Sequence, residues 1–143
     1  EGRCIHVLRW MIGRGMEVTT GLFETAAFHQ SVRTLEFLKD VSSPPSVHAL
    51  ALLPEASRGV CTISHGDAIF TNAPAIMIPV RARLFKEVAT YLLEVGAKWD
   101  ESCMQHVATG MMQFADHRNL RETLAHLLAW MRSEGAMAGE GDA

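Results

Sequence analysis

Residues 91–100 read YLLEVGAKWD. An apolar helical run ends there on Gly96, and a polar-aromatic tail follows. Glycine just past a helix supplies the left-handed residue that lets the chain turn away. Residues 10–18, WMIGRGMEV, place Gly15 in the same setting. Sliding the chain by 81 positions lays 7–27 over 88–108 without a gap. Val7 then meets Val88, Trp10 meets Tyr91, Met11 meets Leu92, Ile12 meets Leu93 and Gly15 meets Gly96. Beyond the turn, Phe23 meets Met104, Ala26 meets Val107 and Ala27 meets Ala108. Three positions are identical; apolar class recurs at nearly all the core positions. A further copy of the second helix fits at Leu35–Leu38, 27 residues after the first, and another near Leu124–Leu128. The shift of 81 is three such units, with the middle one degraded. Helix pairs too small to bury their apolar faces alone do so by stacking, so spacing repeats while identity drifts.

The flanking segments fit this frame. Residues 4–13 set Ile5, Leu8, Met11 and Ile12 on a helical stripe, with Trp10 beside it. Residues 21–40 predict two short helices, the second capped by Ser31. Ser46 is a candidate cap for the next helix, Pro54 for the start of a further turn and Gly59 for its end. Between 60 and 80, VCTIS and AIFT permit a hairpin around His65-Gly66-Asp67, with helical turns as the alternative. Residues 80–95 predict a helix with Leu84, Val88, Tyr91, Leu92 and Val95 on one side. Residues 102–115 predict another, capped by Ser102. Asn119 with Glu122 resembles a capping box ahead of Leu120, Leu124, Leu127, Leu128 and Met131. Gly135 closes that helix, and 137–143 is expected to be a disordered tail.

Composition narrows the function. The chain has 143 residues, 48% hydrophobic and 20% charged, with net charge −3. That balance lacks the basic face of a nucleic-acid binder. Charges, Pro and Gly interrupt all apolar stretches before the ~18 residues a membrane span needs. Cys4, Cys61 and Cys103 form no disulfide framework, which points to a reducing intracellular compartment. The first residues lack a signal-peptide pattern. They open on helix with Glu1 rather than Met, which reads as a piece of a longer protein.

GLFETAAFHQSVRTLEFL, at 21–38, resembles an ankyrin repeat: an apolar residue, an Ala-Ala pair, a turn, then a second helix with paired large apolars. EVATYLLEVGAKWDESCMQHVATG, at 87–110, resembles the other part of that pattern, where Leu-Leu-x-x-Gly-Ala leads into the next first helix. The resemblance covers about 3–40 and 80–136 and breaks over 41–79, a degenerate repeat or an insertion. The Thr-Pro-Leu-His tetrapeptide is replaced by Gly-Leu-Phe-Glu at 21–24 and Ser-Cys-Met-Gln at 102–105. The resemblance implies an all-α fold over 1–136, a small solenoid of antiparallel helix pairs with an irregular centre. It implies a protein–protein interaction module with no enzyme activity and no cofactor. Loops and first-helix faces would meet the partner, which nominates Glu24, Phe28, Trp99, Asp100, Glu101 and Gln105. Further repeats of a parent chain would pack on its ends.

Other chemistry is weakly signalled. Cys61-x3-His65 and Cys103-x2-His106 suggest zinc, but the tight pairing of known sites is missing, and a buried thiol with a partly buried histidine is the simpler reading. Cys4 with His6 forms no nucleophile elbow, and no GxSxG, P-loop, GxGxxG or HExxH is present. The methionines at stripe positions read as core filling. Trp99 is either an interface anchor or a lid folded over a helix end, and Trp130 covers the end of the stack. Two rivals remain: a non-repeat helical domain with a small-ligand or metal pocket near 60–80, and a purely structural piece of a larger array whose ends bury against neighbouring repeats.

Overall fold

In the computed structural model, residues 2–41, 52–65 and 68–136 are described. They are mostly helical. In order come α1 (Gly2–Gly13), α2 (Thr20–Phe28), α3 (Val32–Val41) and α4 (Leu52–Cys61). A hairpin follows, β1 (Thr62–His65) and β2 (Ala68–Asn72), then a 3₁₀ turn at Ala75–Met77. The chain closes with α5 (Ile78–Glu94), α6 (Glu101–Gln113) and α7 (Arg118–Ser133). The tail 137–143, the Ser46 cap and the Gly66-Asp67 tip lie outside the described residues.

The expected glycine turns form at both places. Gly15 has φ +103° and Gly96 φ +107°. At each, two backbone bonds close the helix end. Met16 N–H donates to the Met11 carbonyl at 3.1 Å and Gly15 N–H to Ile12 at 3.0 Å. Ala97 N–H donates to Leu92 at 2.9 Å and Gly96 N–H to Leu93 at 3.2 Å. This crossed pair satisfies carbonyls that the last turn would leave orphaned. Gly135 ends α7 in the same way, with Ala136 N–H on Met131 at 2.9 Å.

A fourth turn of this type carries no glycine. Gln30 ends α2 at φ +60°, with Ser31 N–H on the Ala26 carbonyl and Gln30 N–H on Ala27, both at 3.0 Å. The left-handed backbone costs about 1–2 kcal/mol for a residue with a Cβ. The buried Gln30 side chain offsets part of it by donating Nε2–H to the Ala56 carbonyl of α4 at 2.7 Å. Ser31 caps α3 as expected: its Oγ accepts the Thr34 N–H at 3.3 Å.

Among the described helices, the most enclosed lies in the expected irregular centre. Leu52, Leu53, Ala56, Ser57, Gly59, Val60 and Cys61 of α4 are all buried. Pro54 sits in its first turn, where no intrahelical N–H bond is lost. Gly59 does not end α4; it lies within it, against α2. A Cβ there would collide with the Phe28 carbonyl. On α6, a Cβ at Gly110 would collide with the Cys61 side chain. Absent side chains thus let α4 approach both α2 and α6.

Helix neighbours follow a regular order. α4 packs on α2 and α6. α3 packs on α1 and α5, and α5 also on α7. Across, α2 packs on α3, α4 on α5 and α6 on α7. The hairpin is inserted between α4 and α5. It pairs Thr62 with Asn72, Ile63 with Thr71 and His65 with Ala68, with a one-step register slip between Ile63 and His65.

Burial corrects several expectations. The buried face of α5 is Ile78, Ala82, Phe85, Val88, Ala89 and Leu92, rotated from the expected stripe. Leu84, Tyr91 and Val95 are only half-buried. Trp10 and Met11, expected in the core, are exposed. α6 begins at Glu101, so its cap is Asp100, not Ser102. α7 begins at Arg118 without a side-chain cap, so Asn119 is already inside the helix.

Candidate functional site

The nominated residues divide between the surface and the frame beneath it. Glu101 and Gln105 are exposed on α6, and Glu24 is half-buried on α2. Phe28 is 5% exposed and closes into the protein. The Arg58 guanidinium lies over its ring at 5.9 Å, and His29 meets its edge at 5.3 Å.

Trp99 turns inward. Its indole N–H donates to the Glu134 carbonyl at the end of α7, at 3.1 Å. Its ring lies 6.3 Å from both Phe85 and Trp130, which are themselves 6.3 Å apart. Trp130 meets both other rings edge-to-face, which adds to what burial contributes. Trp99 therefore bolts the turn after α5 onto the end of α7, the lid-like alternative of the two readings. Trp130 stands in the same cluster, with Lys86 Nζ 6.0 Å from its ring centre.

Asp100 is exposed, and its carboxylate is occupied by the start of its own helix. Its Oδ1 accepts the Ser102 N–H at 2.9 Å and the Ser102 hydroxyl at 2.5 Å. Burial alone would push its carboxyl up, but the bonds from Ser102 and Cys103 outweigh that and hold it below its ordinary value. It serves as the α6 N-cap.

The accessible side of α2, α4 and α6 is a mixed polar surface. Glu55 and Arg58 of α4 pair at 2.6 Å, Oε1 to Nη2, and both are partly exposed. His106 of α6 faces this pair. Burial, then the Arg58 charge, lower its pKa, while Glu55 and Asp100 pull the other way. His29, which caps the end of α2, is lowered by burial and by Arg81. Both imidazoles therefore favour the neutral form, with one ring nitrogen to donate and one to accept. Neither His106 nor Arg58 was singled out from sequence as a contact; a recurring first-helix position beside Gln105 was the available signal. Together these groups offer a partner hydrogen bonds of both senses and one partly exposed ion pair.

The thiols are poor nucleophiles or ligands as they stand. Burial pushes Cys61 up to about 12, against the pull of Arg81, and Cys103 up to about 11. Among the described residues, no three His, Cys, Asp or Glu side chains converge as a metal site. Near 60–80, Arg81 Nη1 donates to the carbonyls of Gly59 at 2.5 Å and Thr62 at 3.4 Å. That guanidinium ties α5 to the root of the hairpin. Among the described residues, no helix is long and apolar enough to cross a membrane.

No family model, curated protein or solved structure matches this chain.

Proposed function

We propose that this chain is a protein-recognition module, built as a short ankyrin-like stack of helix pairs. One observation carries the reading: the order in which the helices pack. α2, α4 and α6 follow one another, and α1, α3, α5 and α7 do the same. The partners within α2/α3, α4/α5 and α6/α7 pack together. In this reading the segment 41–79 is no break. It supplies the first helix of the middle pair, and the hairpin is an enlarged turn within that pair. The recurring glycine turns at Gly15, Gly96 and Gly135 mark the ends of second helices.

Recognition then belongs to the accessible side of the first helices. Its contacts are Glu24 on α2, His29 at the end of α2, Arg58 on α4, and Glu101, Gln105 and His106 on α6. Trp99 and Phe28 support that side from behind, and Asp100, exposed at the start of α6, caps that helix. A protein partner suits a broad polar surface with one Arg at its centre, since Arg is enriched at interface hot spots. The free buried thiols Cys61 and Cys103 accord with an intracellular setting.

Selection of ligands from a displayed peptide library against the whole chain tests this. The selected peptides are expected to lose about tenfold or more in affinity on Gln105→Ala or Arg58→Ala. Glu101→Lys should reverse their charge preference. Peptides indifferent to all three changes would remove this face as the recognition surface.

A further inference from the structure

α1 is apolar on two opposite sides, and the protein buries only one of them. Ile5, Leu8 and Ile12 recur at helical spacing and are half-buried. Val7, Trp10, Met11 and Arg14 recur at i, i+3, i+4 and i+7, which at 100° per residue sets them on the far side of the helix. There Trp10 is 62% exposed, Val7 52% and Met11 37%. A helix with apolar residues on two sides buries both only between two neighbours. Large apolar side chains gathered on one exposed stripe mark an interaction site more than isolated ones do.

Two features define what fits. The first is continuity. α3 lies in contact with α1 and α5, and α5 with α3 and α7, so the interior members of this row each have two helical neighbours. α1 has its main contact with α3, and another helix is the shape that extends the row. The second is charge. From Gly2 to Met16 the chain carries Arg3, Arg9 and Arg14 and no carboxylate. The Arg14 guanidinium lies over the Trp10 ring at 4.8 Å, and Arg9 over Phe37 at 5.3 Å. Arg14 thus stays beside the apolar stripe, while Arg9 reaches across to α3. A second copy of α1 would set arginine against arginine. Trp, Met and Arg are also the residue types that interface centres concentrate.

We infer that the outer side of α1 docks an amphipathic helix of a partner protein, its apolar stripe flanked by Asp or Glu. Trp10 is the anchor, and Arg14 selects the acidic flank. The site is separate from the first-helix side and does not depend on it.

Two synthetic helical peptides test this: one Leu-rich stripe flanked by Glu, and the same stripe flanked by Lys. Each is titrated calorimetrically into the whole chain. The Glu peptide is expected to bind more than about tenfold tighter than the Lys peptide, and less tightly as salt rises. Trp10→Ala is expected to abolish binding and leave the melting curve unchanged, because the ring is exposed. Arg14→Glu is expected to reverse the order of the two peptides. Equal binding of both, binding of neither, or binding untouched by Trp10→Ala would overturn the inference. So would a sedimenting dimer that Trp10→Ala dissolves, since it would give the stripe to a second copy. A longer form of the chain that no longer takes the peptide would give it to a neighbouring repeat, and would also overturn it.

Discussion

The turns at Gly15–Thr19 and Gly96–Asp100 have nearly the same backbone and very different surroundings. Both place a glycine near φ +105° and end on an extended residue: Thr19 at φ −109°, ψ 167°, and Asp100 at φ −129°, ψ 173°. Asp100 caps its helix, whereas Thr19 makes no side-chain cap bond. Trp99 is pinned to Phe85, Trp130 and the end of α7. Its counterpart Val18 is a half-buried aliphatic. The helix before the second turn is enclosed, and the one before the first shows Trp10 to solvent. Backbone geometry here answers to local demands, while the energy stored at each turn is set by what packs on it.

The largest test of that contrast removes packing. Phe85→Ala is expected to cost about 3–5 kcal/mol in urea denaturation, because the ring is fully buried. Trp10→Ala on the other side should change it by no more than about 0.5 kcal/mol. Comparable losses would mean that the two ends are equally integrated.

Gly96→Ala and Gly15→Ala impose the same backbone strain, of roughly 1–3 kcal/mol. Gly96→Ala is expected to lower the global midpoint. Gly15→Ala should instead speed amide exchange in α1 and spare the remainder, since α1 can fray to relieve the strain. Equal global midpoints would contradict this.

The smallest effect is at the caps. Asp100→Ala should cost about 1 kcal/mol and Thr19→Ala only a few tenths. Asp100 also gives the comparison a pH signature. Its folded pKa lies below the unfolded value, so its contribution is full above about pH 4 and is lost as pH falls through the folded pKa. Asp100→Asn keeps a capping residue and is expected to flatten that acid limb. An unchanged acid limb would locate the sensitivity elsewhere.

Much of the helical frame could be read from residue order. Gly15, Gly96 and Gly135 announced their turns because few residues other than glycine reach such a φ without strain. Gln30 adopts the same type of turn and could not be foreseen: its reason is a carbonyl on α4, 26 positions away. Gly59 was misread for the converse reason. It looked like a helix end, but it is glycine because the Phe28 backbone needs its space. The stripe on α5 was rotated because Ala82 and Ala89 carry little weight in a hydrophobic pattern yet sit where helices meet. The candidate surface was less legible. Trp99 and Asp100 stood at the right loop, but whether a loop tryptophan turns outward depends on distant residues, here Phe85 and the Glu134 carbonyl. Trp10 and Met11 failed the opposite way. An apolar stripe shows that a helix wants a neighbour, not that it has one.

The missing side chains at Gly59 and Gly110 bear on mechanics. α4 meets the backbone of α2 at one contact, and its Cys61 rests on bare α6 backbone at the other. Side chains flex by changing rotamer, and contacts without them have little slack. A displacement imposed at α2 would therefore pass through α4 to α6 almost undiminished, and the three helices should respond to load as one stiff beam.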